Sequence, residues 1–190
     1  MAYWADCNVG ASNPEEYGYY FAWGETRPKN YYSWSTYRYA NGNYDKLTKY
    51  CCNSNYGNNG FTDYLTNLQY NDDAATVNWG NGCHIPTMND WIELENNTTS
   101  TWTTCNGVYG WLFTAFNGNS LFLPAAGYRW TNELDDLGEA GYYWSSELAS
   151  NVHVIYSPDL DTCGSNYAIN IEFHAHTQYF LYSWNKRFYG

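Results

Sequence analysis

The chain has 190 residues, enough for one domain with its own hydrophobic core. A formal charge of −11, with eight Lys and Arg scattered along the chain, sets up a field that repels phosphate backbones and anionic lipid. No apolar run approaches the roughly 20 residues that cross a bilayer, so neither nucleic acid nor membrane insertion is expected. What stands out instead is 22 Tyr and 10 Trp in a chain only 14% charged, more ring surface than a core of this size can hide. The rings sit among Asn, Ser, Gly and Thr, as in Asn41-Gly-Asn-Tyr44 and Tyr179-Phe-Leu-Tyr-Ser-Trp184. Rigid amphipathic rings supply contact area while small polar residues adapt their hydrogen bonding, which is the composition of a recognition surface.

In chain order, Met1-Ala-Tyr-Trp-Ala-Asp6 shows neither the basic nor the apolar region of a secretion signal. Asn13-Pro14-Glu15-Glu16 predicts a first helix, with a polar cap, Pro at the first helical position and acids at the positive end of the dipole, running toward Trp23. From Thr26 to Asn81 there is no sustained periodicity, and the expectation is ordered loop with short strands. Thr87, three residues before Asp90, predicts a second helix from about Met88 to Asn96 that buries Trp91 and Leu94. Thr98–Thr104 reads as a low-complexity cluster. Trp111–Phe116 and Leu121–Ala125, joined through Asn117-Gly118, predict a hairpin.

Tyr167–His176 alternates strictly. Ile169, Ile171, Phe173 and Ala175 point one way and Asn170, Glu172, His174 and His176 the other, which predicts a strand with one buried and one open face. With the polar, aromatic segment that follows, the expected exposed contact face is Asn170, Glu172, His174, His176, Tyr179, Tyr182 and Trp184, and Asn185 and Tyr189 complete the candidate ligand-binding set. Trp23, Trp79, Trp91 and Trp144 are read as core.

Six cysteines offer no Cys-x-x-Cys pair and no zinc spacing. Adjacent Cys51 and Cys52 do not bridge each other without strain, and most of the thiols are expected to be small buried packing groups. Glu172-x-His174-x-His176 could place two imidazoles on one ion, but no further ligand is near in sequence, and the expectation is a polar binding face with no metal and no other cofactor. Asp72-Asp73 and Asp135-Asp136 are read as turn and capping residues. No Gly-x-Ser-x-Gly nucleophile elbow is present, and no enzyme is expected.

Trp4-Ala-Asp-Cys-Asn-Val-Gly-Ala11, Tyr20-Phe-Ala-Trp-Gly-Glu-Thr26, Asp73-Ala-Ala-Thr-Val-Asn-Trp79, Pro86-Thr87, Leu123-Pro-Ala-Ala-Gly-Tyr-Arg129 and Gly141-Tyr-Tyr-Trp-Ser-Ser146 together resemble the Fibrobacter succinogenes major paralogous domain. The resemblance implies an α+β domain of C-type lectin fold in its formylglycine-generating-enzyme-like variant, with two helices, short antiparallel sheets and long ordered loops over residues 1–190. It also implies that the family's first and last strands are missing.

Members of that family occur in surface or secreted proteins of gut Bacteroidetes and their phages, and some are variable proteins of diversity-generating retroelements. The implied function is non-enzymatic recognition of a protein or glycan ligand, outside the cell or on a phage particle. The alternative is a structural surface module without its own ligand. Adenine-directed variation of Asn codons would account for His174, His176, Tyr179, Tyr182 and Asn185, but not for Glu172, Gln178 or Trp184. The copper chemistry of formylglycine-generating enzyme needs two nearby cysteines late in the domain, where this chain has only Cys163. The calcium-binding triplets Glu-Pro-Asn and Gln-Pro-Asp of sugar-binding C-type lectins do not occur.

Overall fold

The helices form where capping chemistry is complete. In a computed structural model that describes residues 3–80, 82–149, 165–177 and 179–190, helix α1 spans Ala74–Trp79 and helix α2 spans Met88–Asn97. The Thr87 hydroxyl accepts from Asp90 N at 3.2 Å, and the Asp90 carboxylate accepts from Thr87 N at 2.8 Å, the reciprocal capping box expected at this position. Met88, Trp91 and Leu94 are the buried face of α2. Helix α1 arises inside the segment read as loop, because Asp73 accepts from Thr76 N at 2.8 Å and Gly80, with φ +100°, ends it.

The helix expected at Asn13–Trp23 is absent. Glu16 closes a single turn by accepting from Ser12 N and Asn13 Nδ2, and Gly18 then leaves the right-handed region with φ +72°. Tyr19 N donates to Val9 O instead of to a carbonyl one turn back, so the capping signal starts a turn that cannot propagate.

Three antiparallel sheets follow. Strands β1 (Thr98–Cys105), β2 (Val108–Ala115) and β3 (Ser120–Pro124) are joined in that order. The β2–β3 hairpin is the predicted one. The Thr cluster is strand β1, a finding that β-branched content and the Asn106-Gly107 turn explain, since both turn residues have positive φ, 48° and 85°. A short ribbon pairs β4 (Tyr128–Trp130) with β5 (Glu133–Asp135). The third sheet has the order β6 (Ala140–Leu148), β7 (Tyr167–His174), β8 (Leu181–Lys186), which makes β7 its central strand. The described architecture is therefore α+β, with two short helices, short antiparallel sheets and long ordered connections.

Both faces of β7 are covered. Ile169, Ile171 and Phe173 join Trp91, Trp111, Phe113 and Phe180 in one core cluster. Ala168, on the alternate face, belongs to a second cluster of Trp23, Tyr32, Tyr37, Tyr39, Tyr50, Leu148 and Phe188. The chain from 26 to 68 is thus held by its own rings rather than by ladders, with isolated bridges such as Tyr32 to Thr131 and Ala40 to Leu47.

Two buried polar groups hold this ring-rich layer. Arg187, fully buried, donates to the Tyr37 hydroxyl (3.0 Å) and to the carbonyls of Tyr50 (2.9 Å), Ser165 (2.7 Å) and Lys49 (3.1 Å). Asp72 accepts from the Tyr39 hydroxyl (2.5 Å), the Tyr50 hydroxyl (2.6 Å) and Lys49 Nζ (2.5 Å), while Asp73 caps α1, as the sequence suggested for this acidic pair. Cys7, Cys51, Cys83 and Cys105 are free, but only Cys51 among these four is fully buried, and Cys52 is disulfide-bonded. The expected buried packing role therefore holds for Cys51 and fails for exposed Cys83.

Candidate functional site

The register of β7 with β8 divides the candidate contact set. Ile171 pairs with Tyr182 and Ile169 with Trp184, whereas Ala168 pairs with Asn185. Directly opposed residues project on the same face of a sheet. Tyr182 and Trp184 therefore leave the sheet on the side of Ile169, Ile171 and Phe173, and Asn170, Glu172, His174 and Asn185 leave it on the other. A single exposed face carrying all of them is ruled out. Trp184 packs against the first core cluster, and the Tyr182 hydroxyl donates to Glu95 of α2. Burial, and then the Glu95 carboxylate, push the Tyr182 hydroxyl pKa up.

Asn170 is also not exposed. It keeps 2% of its surface because β7 is central, with Trp144 directly opposite on β6 and the ring-rich layer above. Glu172 and His174 are half-buried and pair with each other, Nε2 to Oε1 at 2.6 Å, with the His174 ring edge-on to Tyr142. The strand ends at His174, so Ala175 is exposed rather than buried, and His176 is exposed beyond the ladder. Tyr179 is 64% exposed. Tyr189 is half-buried, its ring 5.5 Å from Tyr128 and 4.8 Å from Phe188. Gln178 lies outside the described residues.

Asn170, Asn185 and Tyr189 converge on a pocket of about 260 Å³. Tyr142 and Trp144 of β6, Tyr128 of β4 and Tyr20 of the N-terminal segment also line it, as does Tyr143 from the opposite face of β6, so the pocket wraps around the β6 edge. Asn185 Nδ2 donates to Asn170 Oδ1 at 3.3 Å, which fixes the two amides side by side. Tyr20 donates to Ala126 O at 2.7 Å and burial raises its hydroxyl pKa to about 12, so it is neutral at physiological pH. The Tyr142 hydroxyl donates to Asp136 Oδ2 at 2.7 Å. Two lining residues carry buried donors with no partner, Asn170 Nδ2 and Trp91 Nε1.

Trp79, read from sequence as core, is 40% exposed and also lines this pocket, because it is the last residue of a six-residue helix whose buried side is Ala74, Ala75 and Thr76. Tyr128, Tyr142 and Tyr20 were not singled out from sequence as site residues. The quoted blocks contain all three, but nothing in their spacing says that three segments so far apart meet. Among the described residues no group of three His, Cys, Asp or Glu side chains is placed to hold a metal ion, and none of the helices there is long and apolar enough to cross a membrane. No family model, curated protein or solved structure matches this chain.

Proposed function

We propose that this chain is a non-enzymatic recognition domain of C-type lectin fold, similar to the Fibrobacter succinogenes major paralogous domain, that binds a protein or glycan at a cell surface or on a phage particle. The observation that carries this reading is the convergence of Asn170, Asn185 and Tyr189 from the C-terminal strands with Tyr20, Tyr128, Tyr142 and Trp144 around one concavity. Rings that offer area and amides that offer directed hydrogen bonds are the elements of a binding site, and they come from segments that only the fold unites. Exposed Tyr179 and Tyr182 offer the same chemistry outside this concavity, Tyr182 on the other side of the third sheet.

The proposal includes diversification of the C-terminal segment in the manner of retroelement variable proteins. Its test is binding of the purified chain to immobilised gut bacterial surface glycans and proteins, with Asn185→Ala/Tyr189→Ala and Tyr179→Ser/Tyr182→Ser variants in parallel. Loss of a specific signal in either variant, with near-UV circular dichroism showing that variant folded, supports recognition. A complete absence of binding by the folded chain favours the structural-module alternative.

A further inference from the structure

The unpaired donors in the pocket say what kind of molecule would complete it. A buried N–H without an acceptor is unfavourable, and native structures seldom keep one unless a water or ligand serves it. Asn170 is 2% exposed, its Oδ1 is engaged by Asn185, and its Nδ2 has no acceptor. Trp91 Nε1, also on a lining residue that is 2% exposed, is in the same position. The missing partner is therefore a hydrogen-bond acceptor, which a ligand oxygen can supply.

Charge narrows the class. Neither Lys nor Arg lines the pocket among the described residues, and its one carboxylate side chain, Asp90, is engaged by Thr87 and His84. An anion would meet no Lys or Arg in the lining and a net charge of −11 around it, with the cation of Arg129 held over the Tyr20 ring. A cation would find aromatic rings but no free carboxylate side chain to neutralise it. The rings of Tyr128, Tyr142, Trp144 and Tyr189 are among its walls. The negative face of an aromatic ring attracts the weakly positive C–H bonds of a saturated ring. At about 260 Å³ the space falls below the roughly 300–1,000 Å³ of pockets for drug-sized ligands.

We infer that the pocket at the β6 edge binds one uncharged pyranose unit, with the Asn170 amide donating to a sugar oxygen and the tyrosine and tryptophan rings packing on its C–H faces. The inference rests on the recognition reading and gives it a ligand class and a site. Binding in this form needs no calcium, because the directed polar contact comes from an amide N–H.

Saturation-transfer NMR on the whole chain tests it, with the methyl glycosides of glucose, galactose, mannose and N-acetylglucosamine as probes and indole as an aromatic control. The expected result is transfer to the ring protons of at least one glycoside, unchanged by EDTA, with affinity lowered at least tenfold by Asn170→Leu and unchanged by Phe116→Ser, a substitution at a 90% exposed ring away from the pocket. If near-UV circular dichroism shows Asn170→Leu to be unfolded, Asn185→Ala and Tyr189→Ala replace it and must show the same loss. Transfer to indole alone, to no glycoside, or equally in wild type and pocket variants overturns the inference. Should a glycan or protein bind through Tyr179 and Tyr182 while every methyl glycoside fails, the pocket assignment falls and the recognition reading stands.

Discussion

Tyr182 stands directly opposite Ile171 across the β7–β8 pair, so its ring shares the face of a fully buried side chain, and its hydroxyl reaches Glu95 on α2. Glu95 Oε1 also accepts from Phe180 N, at 3.2 Å, so one carboxylate fastens the start of β8 to the helix. The contact joins two segments 87 residues apart in sequence. It makes Tyr182 a structural residue as well as a partly exposed one.

Tyr182→Phe should therefore cost stability, on the order of 1 kcal/mol for a hydrogen bond to a charged group at a site partly open to water. Chemical denaturation of Tyr182→Phe, Glu95→Gln and the double variant measures the coupling. Strict additivity of the two single effects would show that the hydroxyl and the carboxylate do not interact.

Removing Arg187 should be far more damaging. Arg187→Met leaves the buried carbonyls of Tyr50 and Ser165 and the part-buried carbonyl of Lys49 without the donor that now serves them, and it removes a cation 5.1 Å from the Trp23 ring centroid. A loss of about 3–5 kcal/mol is expected, because each buried unpaired acceptor costs about 1–3 kcal/mol. Burial raises the Tyr37 hydroxyl pKa to about 12, with Arg187 pulling it back. In any folded Arg187→Met protein the Tyr37 titration should move further up, as ultraviolet difference spectra can show.

Asp72 predicts how stability responds to acid. Burial pushes its carboxyl pKa up, but hydrogen bonds from Lys49, Tyr39 and Tyr50 outweigh burial and hold the folded value below the ordinary one. A group depressed in the folded state contributes stability that is complete above its unfolded pKa of about 3.9 and is lost as pH falls through the folded value. Melting temperature should therefore fall as the pH drops below about 4. Asp72→Asn should be less stable at pH 7 and lose less between pH 4 and pH 2. Parallel melting curves for the two proteins across that interval check both statements.

Gly141 and Phe173 form a coupled pair in the third sheet. They are opposed in register, and a Cβ on Gly141 would lie 2.2 Å from the Phe173 ring. Gly141→Ala should destabilise by about 1–3 kcal/mol through overpacking, and Phe173→Ala by about 3–5 kcal/mol through the cavity it leaves. In the Phe173→Ala background the added methyl should be tolerated. Equal costs of Gly141→Ala in both backgrounds would show that the ring is not what excludes the methyl.

The sequence by itself determined the elements whose causes are local. Thr87 and Asp90 specify the start of α2 within one turn of chain, and Trp91 and Leu94 follow at helical spacing onto its buried face. The alternation of Ile169, Ile171 and Phe173 sufficed to place those three side chains in the core. Asn117-Gly118 announced its hairpin in the same way, and Asn106-Gly107 carried an equal signal beside a Thr cluster that had not been read as a strand.

Only the tertiary structure decided what lies against the other face of β7. Alternation gives the direction of Asn170 but not whether water or a layer of rings meets it, and β7 is the central strand, where both sides are covered. The helical signal at Asn13–Glu16 failed for a related reason, since a cap starts a turn but the conformation of Gly18 and its neighbours decides whether the turn continues. Likewise, no spacing could show that Tyr182 faces Ile171 or that Asn185 meets Asn170. Those relations are set by strand register, and a slip of one residue in the pairing would send each side chain to the opposite side of the sheet.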